Sequence, residues 1–114
     1  MSKELSHIDE AGNASMVDVS NKNSTTRTAT ASGCVQFPQE VFETLAAQDF
    51  LGAKGSIIQT AVIAGIQAVK KTSDLIPLCH QLNLSKVHID IQPVDYSLRI
   101  VCKVKCTERT GVEM

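Results

Sequence analysis

The chain has 114 residues, 43% of them hydrophobic, with no Trp and 4% aromatic residues. A domain of this length buries roughly two-thirds of the surface its unfolded chain exposes, so a real core fits, and Ala, Val, Ile and Leu are expected to fill it. With 11 basic and 12 acidic residues the formal net charge is -1, which removes any global electrostatic case for a nucleic-acid or anionic-membrane partner.

The opening MSKELSHIDE is charged and polar and lacks the apolar stretch of a secretory signal. Residues 1–15 read as a mobile N-terminal arm and residues 16–114 as a single α+β domain, with Met16-Val17-Asp18-Val19 patterned as a short edge strand. From Thr25 to Phe37 small and polar residues alternate with Val and Ala, which suits a strand. "FPQEVFETLAA" then sets Pro38 at a helix start, where its missing N–H leaves no bond unmade, and Val41, Phe42 and Leu45 recur at helical spacing.

"GAKGSIIQTAVIAGIQAVKK" carries the clearest helix. Ser56 with Gln59 three positions on is a capping box, and the spacing predicts a helix over 57–71. Apolar residues fall on nearly every face, which predicts burial on most sides. Gly65 in its middle predicts close approach by another backbone. Beyond it "KVHIDIQ" and "LRIVCKVKCT" each alternate apolar with polar residues, and the intervening 93–97 has turn chemistry, so the pair reads as an antiparallel hairpin. Strand, helix, helix and hairpin together predict an antiparallel sheet with helices packed on one face. The longest apolar segment, 57–69, is too short and too interrupted to span a bilayer, and the expectation is a soluble, cytoplasmic protein.

Four cysteines, Cys34, Cys79, Cys102 and Cys106, lack the dense spacing of a secreted disulfide scaffold. Cys102 and Cys106 share a strand face but lie about 13 Å apart at 3.3 Å per residue, too wide for one tetrahedral ion. They read as core thiols, and no metal site is expected. His7 and His88 read as an arm residue and a hydrated strand residue. Cys79-His80 ends the apolar run "LIPL", and an imidazole there is fit to be a general acid, a general base or a phosphate donor. Lys54 in "GAKGS" precedes a helix N-terminus, an arrangement that favours an anion. Arg27 is a cation in a run of Thr and Ala, and Lys70 and Lys71 fit the carbonyl end of a helix dipole.

As a set, "HIDEAGNASMVDVSNK", "AVIAGIQAVKKTSDLIPLCHQL", "LSKVHIDI" and the final "TGVEM" resemble the cyclic pyranopterin monophosphate synthase family, accessory protein C of molybdenum cofactor biosynthesis. The likeness runs in order from about residue 6 to residue 114, and "KKTSDLIPLCH" is its strongest block. It implies a ferredoxin-like α+β fold assembled as a homohexamer, a trimer of dimers, with active sites at a subunit interface. It implies a lyase that converts (8S)-3',8-cyclo-7,8-dihydroguanosine 5'-triphosphate, made from GTP, to cyclic pyranopterin monophosphate and diphosphate, with no cofactor. Leu78, Cys79 and His80 would lie against the substrate, with Glu113 and Met114 in a second binding segment. Lys54 would be the active-site lysine and Arg27 a residue holding the triphosphate.

Three departures stand out. Gln81 replaces a second proline usual in the family, and Ser56 replaces an acidic residue after Lys-Gly. The chain also stops at "RTGVEM" directly after a strand, whereas family members continue into a long helix with a catalytic Asp and a lysine, then a tail with another lysine. The expectation is a C-terminally truncated form, incomplete in fold and doubtful in activity. The alternative is a non-catalytic oligomerisation or nucleotide-binding module derived from the family.

Overall fold

A computed structural model of the chain describes residues 11–114. Most of the expected arm, with His7, lies outside the described residues. The elements run β1 (Thr25–Gln36), α1 (Gln39–Ala47), β2 (Leu51–Gly52), β3 (Gly55–Ser56), α2 (Ile57–Lys70), α3 (Thr72–Leu75), β4 (Leu84–Val94) and β5 (Ser97–Glu108). Among the described residues β1, β5 and β4 form an antiparallel sheet in that spatial order, and β2 with β3 forms a two-residue ladder. The helices pack against one face of the larger sheet. Its order, first strand, third, second, is that of the first three strands of a ferredoxin-like βαββαβ unit, so the expected α+β class holds.

The sheet faces follow from period-two alternation along each strand. Ile89 and Ile91 of β4 and Leu98, Val104 and Cys106 of β5 are buried, while Lys86, His88, Asp90 and Lys103 are exposed. β4 and β5 join through only Asp95 and Tyr96, because Val94 pairs with Ser97. Pro93, expected in the turn, is instead in the strand; β4 is an edge of the sheet, where a missing amide donor does no harm. Asp95 takes the left-handed conformation that so short a loop demands, with φ 54°.

The core is less aliphatic than composition suggests. Phe42, Phe50, Ile89, Ile91 and Leu98 form its buried centre. All three Phe and the one Tyr meet at one end of it, with the Phe42 ring 5.6 Å from Phe50, 6.1 Å from Phe37 and 6.0 Å from Tyr96. Few aromatics are present, but they are pooled. Val41, expected on the packed face of α1, is exposed; Phe42 and Leu45 face inward.

α2 begins as expected, with the Ser56 hydroxyl accepting from the Gln59 amide at 3.1 Å, and it ends at Lys70. Burial on most sides is not found: Ile58, Val62 and Ile66 pack on the core, whereas Ile63 on the far side is 61% exposed. Gly65 is indeed a point of close approach, but to a side chain and not to a backbone: a Cβ there would collide with Cδ1 of Ile89. Gly65→Ala therefore gains about 1 kcal/mol of helix propensity and loses about 1–3 kcal/mol to overpacking against a buried neighbour. It should destabilise by about 1 kcal/mol. Ile89→Val removes the colliding atom, so in a urea-unfolding double-mutant cycle the pair should be more stable than the sum of the single effects; additivity would count against the contact.

Candidate functional site

Where α2 ends the chain cannot simply turn back to the sheet. A helical turn, α3, follows Lys71, and then Ile76-Pro77-Leu78-Cys79 forms a β-turn closed by the Cys79 amide donating to the Ile76 carbonyl at 3.3 Å. Pro77 presets φ at its first central position. Leu78 at the second has φ 64°, a conformation that costs a side-chain-bearing residue about 1–2 kcal/mol. The bend therefore presents Cys79 and His80 on constrained backbone.

This bend forms one wall of a cavity of about 490 Å³. Its floor is the core face of the sheet, Ala29 and Ala31 of β1 with Cys102 and Val104 of β5. The helices do not cover this strip: Ala31 is exposed and Ala29 only half-buried. Lys70 closes one end, and the segment Thr110–Met114 that follows β5 closes another. A strap carrying Val17, Val19 and Lys22 completes the rim.

Five of the residues picked out in the sequence thus line one cavity: Leu78, Cys79, His80, Glu113 and Met114. His80 is half-buried, and its Nε2 lies 2.7 Å from the Val17 carbonyl. The Cys79 thiol lies 3.6 Å from the His80 carbonyl. Glu113 folds back so that its carboxylate occupies the space a side chain at residue 111 would need, which only Gly111 permits.

Arg27 and Lys54 do not line the cavity. Arg27 pairs in register with Cys106 and points its half-buried side chain to the same sheet face, with its Nε buried and without a hydrogen-bond partner among the described residues. Burial pushes the Cys106 thiol up, Glu108 and Glu113 push it further, and the Arg27 charge opposes them. Arg27, Glu108 and Glu113 thus share the neighbourhood of this thiol, beside the cavity.

Lys54 is exposed at the tip of the β2–β3 hairpin, whose Gly55 has φ 107°. It precedes α2, while the cavity sits at the other end of that helix. Fourteen residues at 1.5 Å each separate them by about 21 Å. Within one chain, then, Lys54 and His80 are at opposite ends of a rod.

The cations that do line the cavity are Lys22 and Lys70. Lys22 has no sequence signal and Lys70 fits a helix-dipole charge; nothing in their local pattern signals that segments nearly fifty residues apart converge. The expected strand at Met16-Val19 is absent: the Val17 carbonyl faces His80, and the turn that follows is held by local bonds. The Ser20 amide donates to the Asp18 carboxylate at 2.9 Å and the Lys22 amide to the Val19 carbonyl at 3.0 Å. The backbone bond from Ser20, with its hydroxyl adding, holds the Asp18 carboxyl below its ordinary value. This turn is therefore fully favoured above the usual Asp range and weakens as pH falls through the lowered value.

Among the described residues no group of His, Cys, Asp and Glu is arranged to hold a metal ion. Cys106 is fully buried and Cys102 half-buried, as core thiols should be, although Cys102 also touches the cavity. No helix among the described residues is long and apolar enough to cross a membrane.

Nearly the whole chain is similar to known proteins. A cyclic pyranopterin monophosphate synthase of Campylobacter jejuni is 47% identical over 112 residues, covering 96% of this chain and 70% of that protein. One from Xanthomonas campestris is 49% identical over 114 residues, covering 99% of this chain and 69% of its own length. One from Helicobacter hepaticus is 45% identical over 113 residues, covering 97% and 70%. The sequence model of the MoaC family matches residues 16–114, which include every cavity residue described above. The chain belongs to the MoaC family.

Proposed function

We propose that the chain is a cyclic pyranopterin monophosphate synthase, a lyase of molybdenum cofactor biosynthesis. It would act on the cyclic dihydroguanosine triphosphate derived from GTP and release diphosphate. The observation that carries this reading is the convergence of Leu78, Cys79 and His80 with Glu113 and Met114 on one cavity, from segments more than thirty residues apart. A triphosphate needs fixed cations around its leaving group. Lys22 and Lys70 lie on the rim, and Arg27 beside it. His80 would move a proton at the reacting carbon skeleton.

The distance of Lys54 from its own cavity favours a site shared between copies. In this reading Lys54 of one chain reaches the His80 cavity of another, in a cytoplasmic homo-oligomer, a hexamer built as a trimer of dimers. The exposed Ile63, Leu75 and Ile76 supply apolar surface for such contacts.

Mixing subunits tests it. Lys54→Ala and His80→Ala chains should each fail to release diphosphate from the triphosphate. Co-expressed, they should regain about a quarter of the unsubstituted activity, because random pairing leaves that share of shared sites intact. A mixed oligomer as inactive as its parents would place both residues in one chain's site. Triphosphate bound by the unsubstituted chain but never cleaved would make the protein a nucleotide-binding module instead.

A further inference from the structure

We propose that the free edge of β4 pairs antiparallel with the β4 edge of a second copy, in a register centred on Ile89, so that two three-stranded sheets become one of six. This deepens the homo-oligomer of the proposed function by naming one of its contacts. Among the described residues β4 has a neighbour, β5, on one side only, and a strand so placed leaves a row of backbone donors and acceptors to be paired. The hairpin decides which residues form that row. Val94 and Ser97 close a two-residue loop and exchange backbone bonds, so the alternation of the ladder turns His88, Asp90 and Gln92 to β5 and Val87, Ile89 and Ile91 outward. Pro93, with no amide to offer, falls on the outward row at its end.

That row is self-complementary about Ile89, the midpoint of Leu84–Val94, because Val87 of each copy then bonds to Ile91 of the other. On the exposed face His88 meets the partner's Asp90 in the pairs that bring side chains closest. The chain alone leaves this face poorly matched: Lys86 stands directly opposite Lys105 and His88 opposite Lys103, and like charges so placed are destabilising. The partner's Asp90 gives the imidazole a carboxylate to donate to and lies diagonal to Lys86. Asp90 is already held for this, since Gln92 Nε2 donates to its Oδ1 at 3.1 Å. Other registers do worse. Centring on Asp90 sets that carboxylate against its own copy and Pro93 against Val87, whereas centring on His88 sets His88 against itself and shortens the overlap.

The same axis bears on Lys54. Gly65 touches Ile89, so the middle of α2 sits over the middle of β4. A two-fold axis at Ile89 therefore lays the partner's α2 antiparallel to the first. The partner's Lys54 comes to the end of α2 where Lys70 borders the cavity.

Cysteines across such a pair have Cα atoms about 4.5 Å apart, which a disulfide spans. Under mild oxidation the full chain with both His88→Cys and Asp90→Cys should run as a linked dimer on a non-reducing denaturing gel. Either single variant should stay at the background set by the exposed Cys34 of the unsubstituted chain. A linked dimer from one substitution alone would show another register and overturn the proposal, and so would a double variant at background. Asp90→Lys should weaken dimerisation on the order of tenfold or more and speed hydrogen exchange at the Val87, Ile89 and Ile91 amides; adding His88→Asp should restore both. Fast exchange at those amides in the unsubstituted dimer would also overturn it. None of these readings needs turnover: a chain linked as expected that never releases diphosphate sinks the reaction and keeps the contact, and an active chain that does not link does the reverse.

Discussion

His80→Ala should lower kcat for diphosphate release by on the order of 10²- to 10⁴-fold, the range for losing a positioned proton-transfer group, while KM moves by less than about tenfold. The split follows from the site. In the proposed reading, charge for the triphosphate comes from Lys22, Lys70 and Arg27 and not from the imidazole, so binding should outlast the loss of the proton carrier. His80 is half-buried in a wall and not in the core, so the variant should fold, and its far-ultraviolet circular dichroism should match the parent's. The decisive comparison is the KM-against-kcat balance. A His80→Ala chain with normal kcat and a KM raised a hundredfold would recast the residue as a phosphate ligand.

The parts of this site that were legible in the sequence and those that were not divide along a physical line. "LIPLCH" announces itself because a proline and a chemically able pair adjoin an apolar run, and local order is enough to make the turn. Ser56 and Gln59 mark the start of α2 for the same reason: a cap acts within four residues. β4 and β5 are written in their own alternation. What local pattern lacks is the choice of packing partner. α2 is apolar nearly all round, so its periodicity names no single inward face, and only the sheet decides that Ile66 packs while Ile63 stays out. Val17 shows the same limit. Its stretch has strand-like residues, yet its carbonyl serves a side chain 63 residues away, a use no spacing rule encodes. The sequence shows that Lys54 precedes a helix, but no local pattern says that the helix is a spacer holding it away from His80 within one chain.

Phe42→Ala should destabilise the fold by about 3–5 kcal/mol, the usual result of removing a buried aromatic ring. Against the roughly 5–15 kcal/mol that separates a typical domain from its unfolded state, that leaves a marginal protein. Its Tm should fall by roughly 10–20 °C at about 4 °C per kcal/mol for a chain of this size. The size of the effect comes from position. Phe42 is 7% exposed and is the one ring in edge or tilted contact with Phe37, Phe50 and Tyr96. Edge contacts of this kind add about 0.5–1.5 kcal/mol beyond buried area. The same contacts hold Phe50 inside although its φ of 56° is one a bulky residue resists, so deleting Phe42 loosens a strained neighbour as well as opening a cavity. Phe37→Ala is the control, because Phe37 is only half-buried and sits at the rim of the cluster, and it should lose less than half as much. Equal losses at the two positions in urea unfolding would show that the rings act as independent apolar bulk and not as a cluster centred on Phe42. The cluster lies at the Asp95–Tyr96 end of the sheet, away from the cavity beside Thr110–Met114. Below its lowered Tm the folded Phe42→Ala chain should therefore bind the triphosphate as the parent does.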